Sequence, residues 1–250
     1  KRQVYIVSWL FALAISFVSC DDWLDKTPKD RLYPDVYFKT EDELRLFTNQ
    51  FYNNLVPSAV DIYSESSDLI VRSDLMLEMS GQRIIPDEGN GWNFTALRDI
   101  NFYLQYSHNC TEVNARNRYD GVARFFRAYF YFEKVKRYGD IPWYDKALDS
   151  DDPELYKARD SREFVMQKML EDLDFAIANL PKTKNAYVLT RWTALALKSR
   201  VCLFEGTFRK YHGLEDYEKY LNACVSASET FMNESGYTCL LYTSDAADER

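Results

Sequence analysis

The 250 residues carry 31 Lys and Arg against 39 Asp and Glu, a formal net charge of −8, with 46% hydrophobic and 28% charged residues. A chain of this length and balance can bury one sizeable core or form part of a larger one, and it lacks the concentrated basic surface that nucleic acid demands. The same acidity weakens attraction to anionic lipid, so any membrane attachment has to come from something other than surface charge.

Lys1 and Arg2 precede an apolar run from Val4 to Val18, and Ser19 leads to Cys20. That is the charged, apolar, small-residue order of a secretory signal, and the run is short for a bilayer span. Phe17-Val18-Ser19-Cys20 resembles the lipobox of bacterial lipoproteins, with Phe where Leu is usual. Residues 1–19 are therefore expected to be a lipoprotein signal peptide and Cys20 the lipidation site. Several acyl chains, at about 0.8 kcal/mol per buried methylene, hold a protein firmly at a membrane. Cys110, Cys202 and Cys224 are widely spaced, with no CxxC pair and no nearby His cluster. Export permits a disulfide, but nothing in the spacing pairs them.

Pro28 and Pro34 disfavour helix in the acidic stretch after Cys20. Thr40 then precedes Glu41, Asp42 and Glu43, which suit the positive end of a helix dipole, and Leu44, Phe47, Phe51 and Leu55 follow at helical steps up to Pro57. Residues 58–92 read as a long decorated loop. A helix is expected from Trp92 to about Cys110, with Phe94, Leu97, Ile100, Tyr103 and Leu104 on one side.

The clearest periodicity runs from Tyr119 to Tyr138, with Val122, Phe125, Phe126, Tyr129, Phe132 and Val135 in one stripe. Gly139 can stop this helix and Pro142 prevents an immediate restart. Asp160 with Glu163 reads as the N-cap and third position of the next helix, which keeps its period through Leu173 and Ile177 to Pro181. A further helix covers Thr190 to Glu205, ended by Gly206, and another covers Glu215 to Met232. Ala128, Ala176, Ala194 and Ala196 lie on or beside the stripes. Small residues at hairpin crossings suggest a tetratricopeptide-like stack. The fold class is mainly α with long loops. The last twelve residues, CLLYTSDAADER from Cys239 to Arg250, have no periodic relation to what precedes. Back-translated, they fit a transposase-adapter sequence used in DNA library preparation. They are set aside as an artefact, leaving 20–238 as the N-terminal part of a domain expected to continue.

Three stretches together resemble the SusD/RagB family. The first is Cys20-Asp21-Asp22-Trp23-Leu24-Asp25 with Pro28 and Asp30. The second is Arg124-Phe125-Phe126-Arg127-Ala128-Tyr129-Phe130-Tyr131-Phe132 with the turn Tyr138-Gly139-Asp140-Ile141-Pro142. The third is the Ala-rich segment from Ala194 to Gly206. Read without the family, Arg124 and Arg127 lie one turn apart and can pair with acids on a neighbouring helix, which makes the motif scaffold. The resemblance implies a surface-exposed, outer-membrane lipoprotein of polysaccharide utilisation. It would bind a glycan and act with a SusC-like TonB-dependent transporter, with no catalytic residues, cofactor or metal. Sugar would be held by aromatic rings and amides. Trp92 and Asn93, with Trp143 and Tyr144 as a second pair, are the candidate ligand-binding residues. Alternatives are a helical-repeat protein-binding scaffold lipoprotein and a surface glycoside hydrolase. His108 and His212 have no second metal-ligand candidate at recognisable spacing.

Overall fold

A computed structural model of the chain describes residues 37–56, 80–82, 84 and 91–238; Cys20, most of the 58–92 segment and everything after Thr238 lie outside them. Six α-helices run through these residues: α1 (Glu41–Leu55), α2 (Thr95–Tyr106), α3 (Val113–Tyr138), α4 (Arg162–Asn179), α5 (Arg191–Tyr211) and α6 (Tyr217–Glu234). Among the described residues there is no β-strand, only an isolated bridge between Ile141 and Asp160. No described helix is long and apolar enough to cross a membrane.

α1 starts at the expected place because Thr40 and Glu43 form a reciprocal capping box, each satisfying the other's backbone N–H. α3 begins at Val113, six residues before the expected start, with Ala115 buried one turn ahead of the buried Tyr119. It is the central helix. α1 and α2 pack on one part of it and α4 on another, so Ala123, Phe130 and Tyr131 are buried as well as the predicted stripe, while Tyr129 is half-buried. From α3 onward each helix packs against the next, α3 on α4, α4 on α5 and α5 on α6, as stacked helical hairpins do. Ala128, Ala176 and Ala194 are fully buried, whereas Ala196 is exposed.

Two boundaries differ from expectation for identifiable reasons. The N-cap of α4 is Ser161, whose hydroxyl accepts from Phe164 N. Asp160 is turned away, its carboxylate accepting from Trp143 N at 2.7 Å and pairing with Lys157 at 2.9 Å. Gly206 does not end α5, which runs five residues further to Tyr211. A Cβ at Gly206 would lie 2.6 Å from Leu221 Cδ2. This glycine therefore lets α5 and α6 approach closely, and helix termination is not its role. At the end of α3, Gly139 does act as expected, with φ +72°.

Candidate functional site

A cleft of about 540 Å³ opens where the start of α2 meets the segment between α3 and α4. That volume is in the range of small-molecule sites. Trp92, Phe94 and Arg98 line it from the α2 side, and Tyr144, Lys157 and Arg159 from the other.

Trp92 stands on the rim, 41% exposed, and α3 sets its position. Gly91 adopts φ +83°, which a side chain would resist, and its carbonyl accepts from Lys134 Nζ. The edges of Tyr138 and Phe94 meet the indole at centroid distances of 4.9 and 5.3 Å. The guanidinium of Arg159 sits over the ring at 5.0 Å. Lys134 also lies 4.8 Å over Phe130, and burial first, then the nearby Arg137, pushes its pKa down from the ordinary lysine value. Asn93 turns its side chain to the backbone, accepting from Thr95 N at 2.8 Å at the start of α2.

The opposite wall is held from behind. Asn101 of α2 donates through Nδ2 to the carbonyls of Tyr144 at 2.8 Å and Lys146 at 3.2 Å. Its Oδ1 accepts from Arg127 at 3.2 Å, and Arg127 is clamped in two-pronged fashion by Asp172 of α4 at 2.6 and 2.8 Å. Arg124 adds a third cationic contact to the same carboxylate at 3.6 Å. Asp172 is the acid on a neighbouring helix that the spacing of Arg124 and Arg127 called for. Tyr131 completes the wall: its buried hydroxyl accepts from Tyr144 N at 2.6 Å and donates to Pro142 O at 3.3 Å. Burial pushes that hydroxyl's pKa up, so it stays a neutral donor.

The rim residues have their own supports. Lys157 donates to Trp143 O at 2.6 Å and pairs with Asp160. Lys146 reaches Glu154 at 3.0 Å and Asp152 at 3.5 Å. The Tyr144 hydroxyl donates to Leu155 O at 3.4 Å, and burial first, then the charges of Asp160 and Glu154, raise its pKa.

Of the four ring and amide candidates read from the sequence, Trp92 and Tyr144 share the cleft. Trp143 does not line it; it is buried, stacked on Tyr131 at 4.2 Å with Arg127 on its face. Asn93 is engaged in its local turn. The cations Arg98, Lys146, Lys157 and Arg159 carry no mark in the sequence, since charged residues are frequent on any helical surface and only the fold gathers these four. His108 and His212 each bond a carbonyl of their own helical turn, Gln105 O and Phe208 O. Among the described residues no group of three His, Cys, Asp or Glu could hold a metal. Cys110 and Cys202 are buried and free; burial pushes the Cys202 thiol up to about 12. Cys224 is also free and half-buried, near Ser199 Oγ at 3.4 Å.

Comparison with known proteins gives a consistent picture. A family model described as "Starch-binding associating with outer membrane" matches residues 82–191, which hold the cleft. "SusD-like protein P2" of Formosa agariphila is 27% identical over 218 residues, covering 79% of this chain and 43% of that protein. The chain thus spans less than half the length of the curated relatives it matches. Among solved structures, a SusD-like protein of Bacteroides fragilis superposes with a TM-score of 0.58 at 23% identity, over 86% of this chain and 42% of that one. NanU of B. fragilis superposes with a TM-score of 0.63 at 19% identity, over 85% and 46%. At such identities these structures speak to the fold alone.

Proposed function

We propose that this chain, SusD/RagB-like by its family-model match and its curated relatives, serves as a lipid-anchored, cell-surface glycan-binding partner of a TonB-dependent outer-membrane transporter, holding an oligosaccharide in the Trp92–Tyr144 cleft without breaking it. The observation that carries the reading is the cleft itself. It joins an exposed indole to a second aromatic wall fixed by Asn101 and Tyr131, and such preorganised rings suit the apolar faces of sugars. The anchor is Cys20, supported by the lipobox-like sequence before it.

Isothermal titration of the full-length protein against a panel of oligosaccharides tests the binding, with the reaction mixtures examined for shortened products. Saturable heat with intact sugar is expected. Silence across the panel, or a shortened product, overturns the reading. For the anchor, Cys20→Ala is expected to abolish fatty-acid labelling and release the protein from membranes, and unchanged labelling removes Cys20 from the role.

A further inference from the structure

The chain carries eight more acids than bases, yet among the described residues the lining of the cleft includes four cations, Arg98, Lys146, Lys157 and Arg159, and no Asp or Glu. Two of the four are answered from behind the lining: Lys146 by Asp152 and Glu154, and Lys157 by Asp160. The other two form no ion pair among the described residues, although the Asp99 carboxyl feels the charge of its neighbour Arg98. Arg98 gives one N–H to Leu148 O at 3.3 Å, and Arg159 lies over the Trp92 ring.

The hydrogen-bonding capacity of the lining is equally one-sided. Lysine and arginine donate and never accept. Asn101, the amide in the wall, is committed at both ends, to two loop carbonyls and to Arg127. A neutral sugar presents hydroxyls that each bring a hydrogen needing an acceptor. In this lining few side chains could take one, and the two arginines would lose water without gaining a counter-charge. A carboxylate or sulfate has the opposite inventory: it accepts only, carries the missing charge, and fits the planar fork of a guanidinium.

We infer that the cleft takes an anionic saccharide, a uronate or a sulfated sugar, with its acidic group on Arg98 and Arg159 and its ring against Trp92. This rests on the glycan-binding reading above and narrows it to one class of ligand.

The test is isothermal titration of the full-length protein with tetragalacturonate, a sulfated galactan tetrasaccharide and neutral galactotetraose, at low and high salt. The acidic probes are expected to bind at least about tenfold tighter than the neutral one. The gap should narrow as salt screens the charges. Arg98→Gln combined with Arg159→Gln should erase the preference. Lys168→Gln, which removes the same kind of charge from the distant surface of α4, should keep it. Arg159→Lys retains the charge and serves if the double variant melts early. A neutral probe bound as tightly as the acidic ones overturns this inference while leaving glycan binding standing. A preference that survives the double substitution overturns its location. Silence of every probe here, with binding elsewhere in the wider panel confined to neutral sugars, overturns the inference alone; silence throughout overturns both readings.

Discussion

Two interfaces in this helical array are built around a buried carboxylate held by two arginines. Between α3 and α4 it is Asp172, gripped by Arg127 and Arg124. Around α5 it is Glu205, fully buried, bonded to Arg162 at 2.6 Å and Arg209 at 2.8 Å, with Glu163 and the Tyr220 hydroxyl extending the cluster toward α6. The chemistry is the same but the connections differ. Arg127 has a further contact, Asn101, which carries the carbonyls of Tyr144 and Lys146, so the first cluster ends at the wall of the cleft. None of Glu205, Arg162 and Arg209 lines it. One cluster therefore fixes helices alone, and the other fixes helices and the binding wall together.

Removing each carboxylate is the largest perturbation and separates the two roles. Asp172→Ala leaves Arg127 buried without its counter-charge, and breaking such a pair costs about 3 to 5 kcal/mol. Denaturant unfolding should show that loss, and the protein still folded at low temperature should bind glycan more weakly, because Asn101 no longer has a fixed partner. Glu205→Gln keeps the shape and should cost about 3 kcal/mol, with glycan affinity unchanged once folded. If Glu205→Gln weakens binding as much as Asp172→Ala at equal folded fraction, the distinction between the clusters is lost.

A smaller effect compares the same interfaces through their glycines. Gly206→Ala would place a methyl 2.6 Å from Leu221 Cδ2 and 3.2 Å from Leu221 N; the side chain can turn aside, but the backbone of α6 must also give way slightly. Overpacking of this kind costs about 1 to 3 kcal/mol, and the better helix propensity of alanine returns up to about 1. A net loss near 1 kcal/mol is expected in thermal or denaturant melts. At Gly121 the added methyl would meet Leu180 at 3.4 Å and Ala176 at 3.7 Å, ordinary contact distances. Gly121→Ala should be neutral or slightly stabilising, and a large loss there would show that α3 and α4 are packed as tightly as α5 and α6.

Much of this was legible in the residues, and the gaps have physical causes. The helices followed from their apolar period because burial on one face is what makes a helix persist. The pairing of Arg124 and Arg127 with an acid on the next helix followed from one-turn spacing. Gly206 misled because a glycine at a close crossing and a glycine at a helix end look alike in one dimension; the neighbour that explains it, Leu221, lies on another helix. Asp160 misled because its competing partner, Trp143 N, is reached only after the chain turns through Pro142. Trp92 and Tyr144 could be chosen as rings in loops, yet nothing local told Tyr144 from Trp143, adjacent in sequence and facing opposite duties. The four cations of the cleft carry no local mark, since their meaning is collective and arises from positions 98, 146, 157 and 159 folding to one place.

The smallest effect tests the rim against the wall through pH. Asp160 holds Trp143 N and the Lys157 ammonium, both beside the cleft. Burial alone would raise its carboxyl; the hydrogen bond from Lys157 and the backbone bond from Trp143 outweigh it, so the folded value lies below the usual 3.8. A carboxyl depressed on folding contributes stability that is fully present above its unfolded pKa and is lost as pH falls through the lower folded one. For a partly exposed pair that contribution is below about 1 kcal/mol. Wild type should therefore exceed Asp160→Asn in stability at neutral pH, and the gap should close below about pH 4 in denaturant titrations run across a pH series. Because Asn101 and Asp172 secure the wall independently, glycan affinity at neutral pH should fall less in Asp160→Asn than in Asp172→Ala. A stability gap that stays constant into strong acid would mean that Asp160 acts through its shape and backbone bridge, and its charge would then have no part in holding the rim.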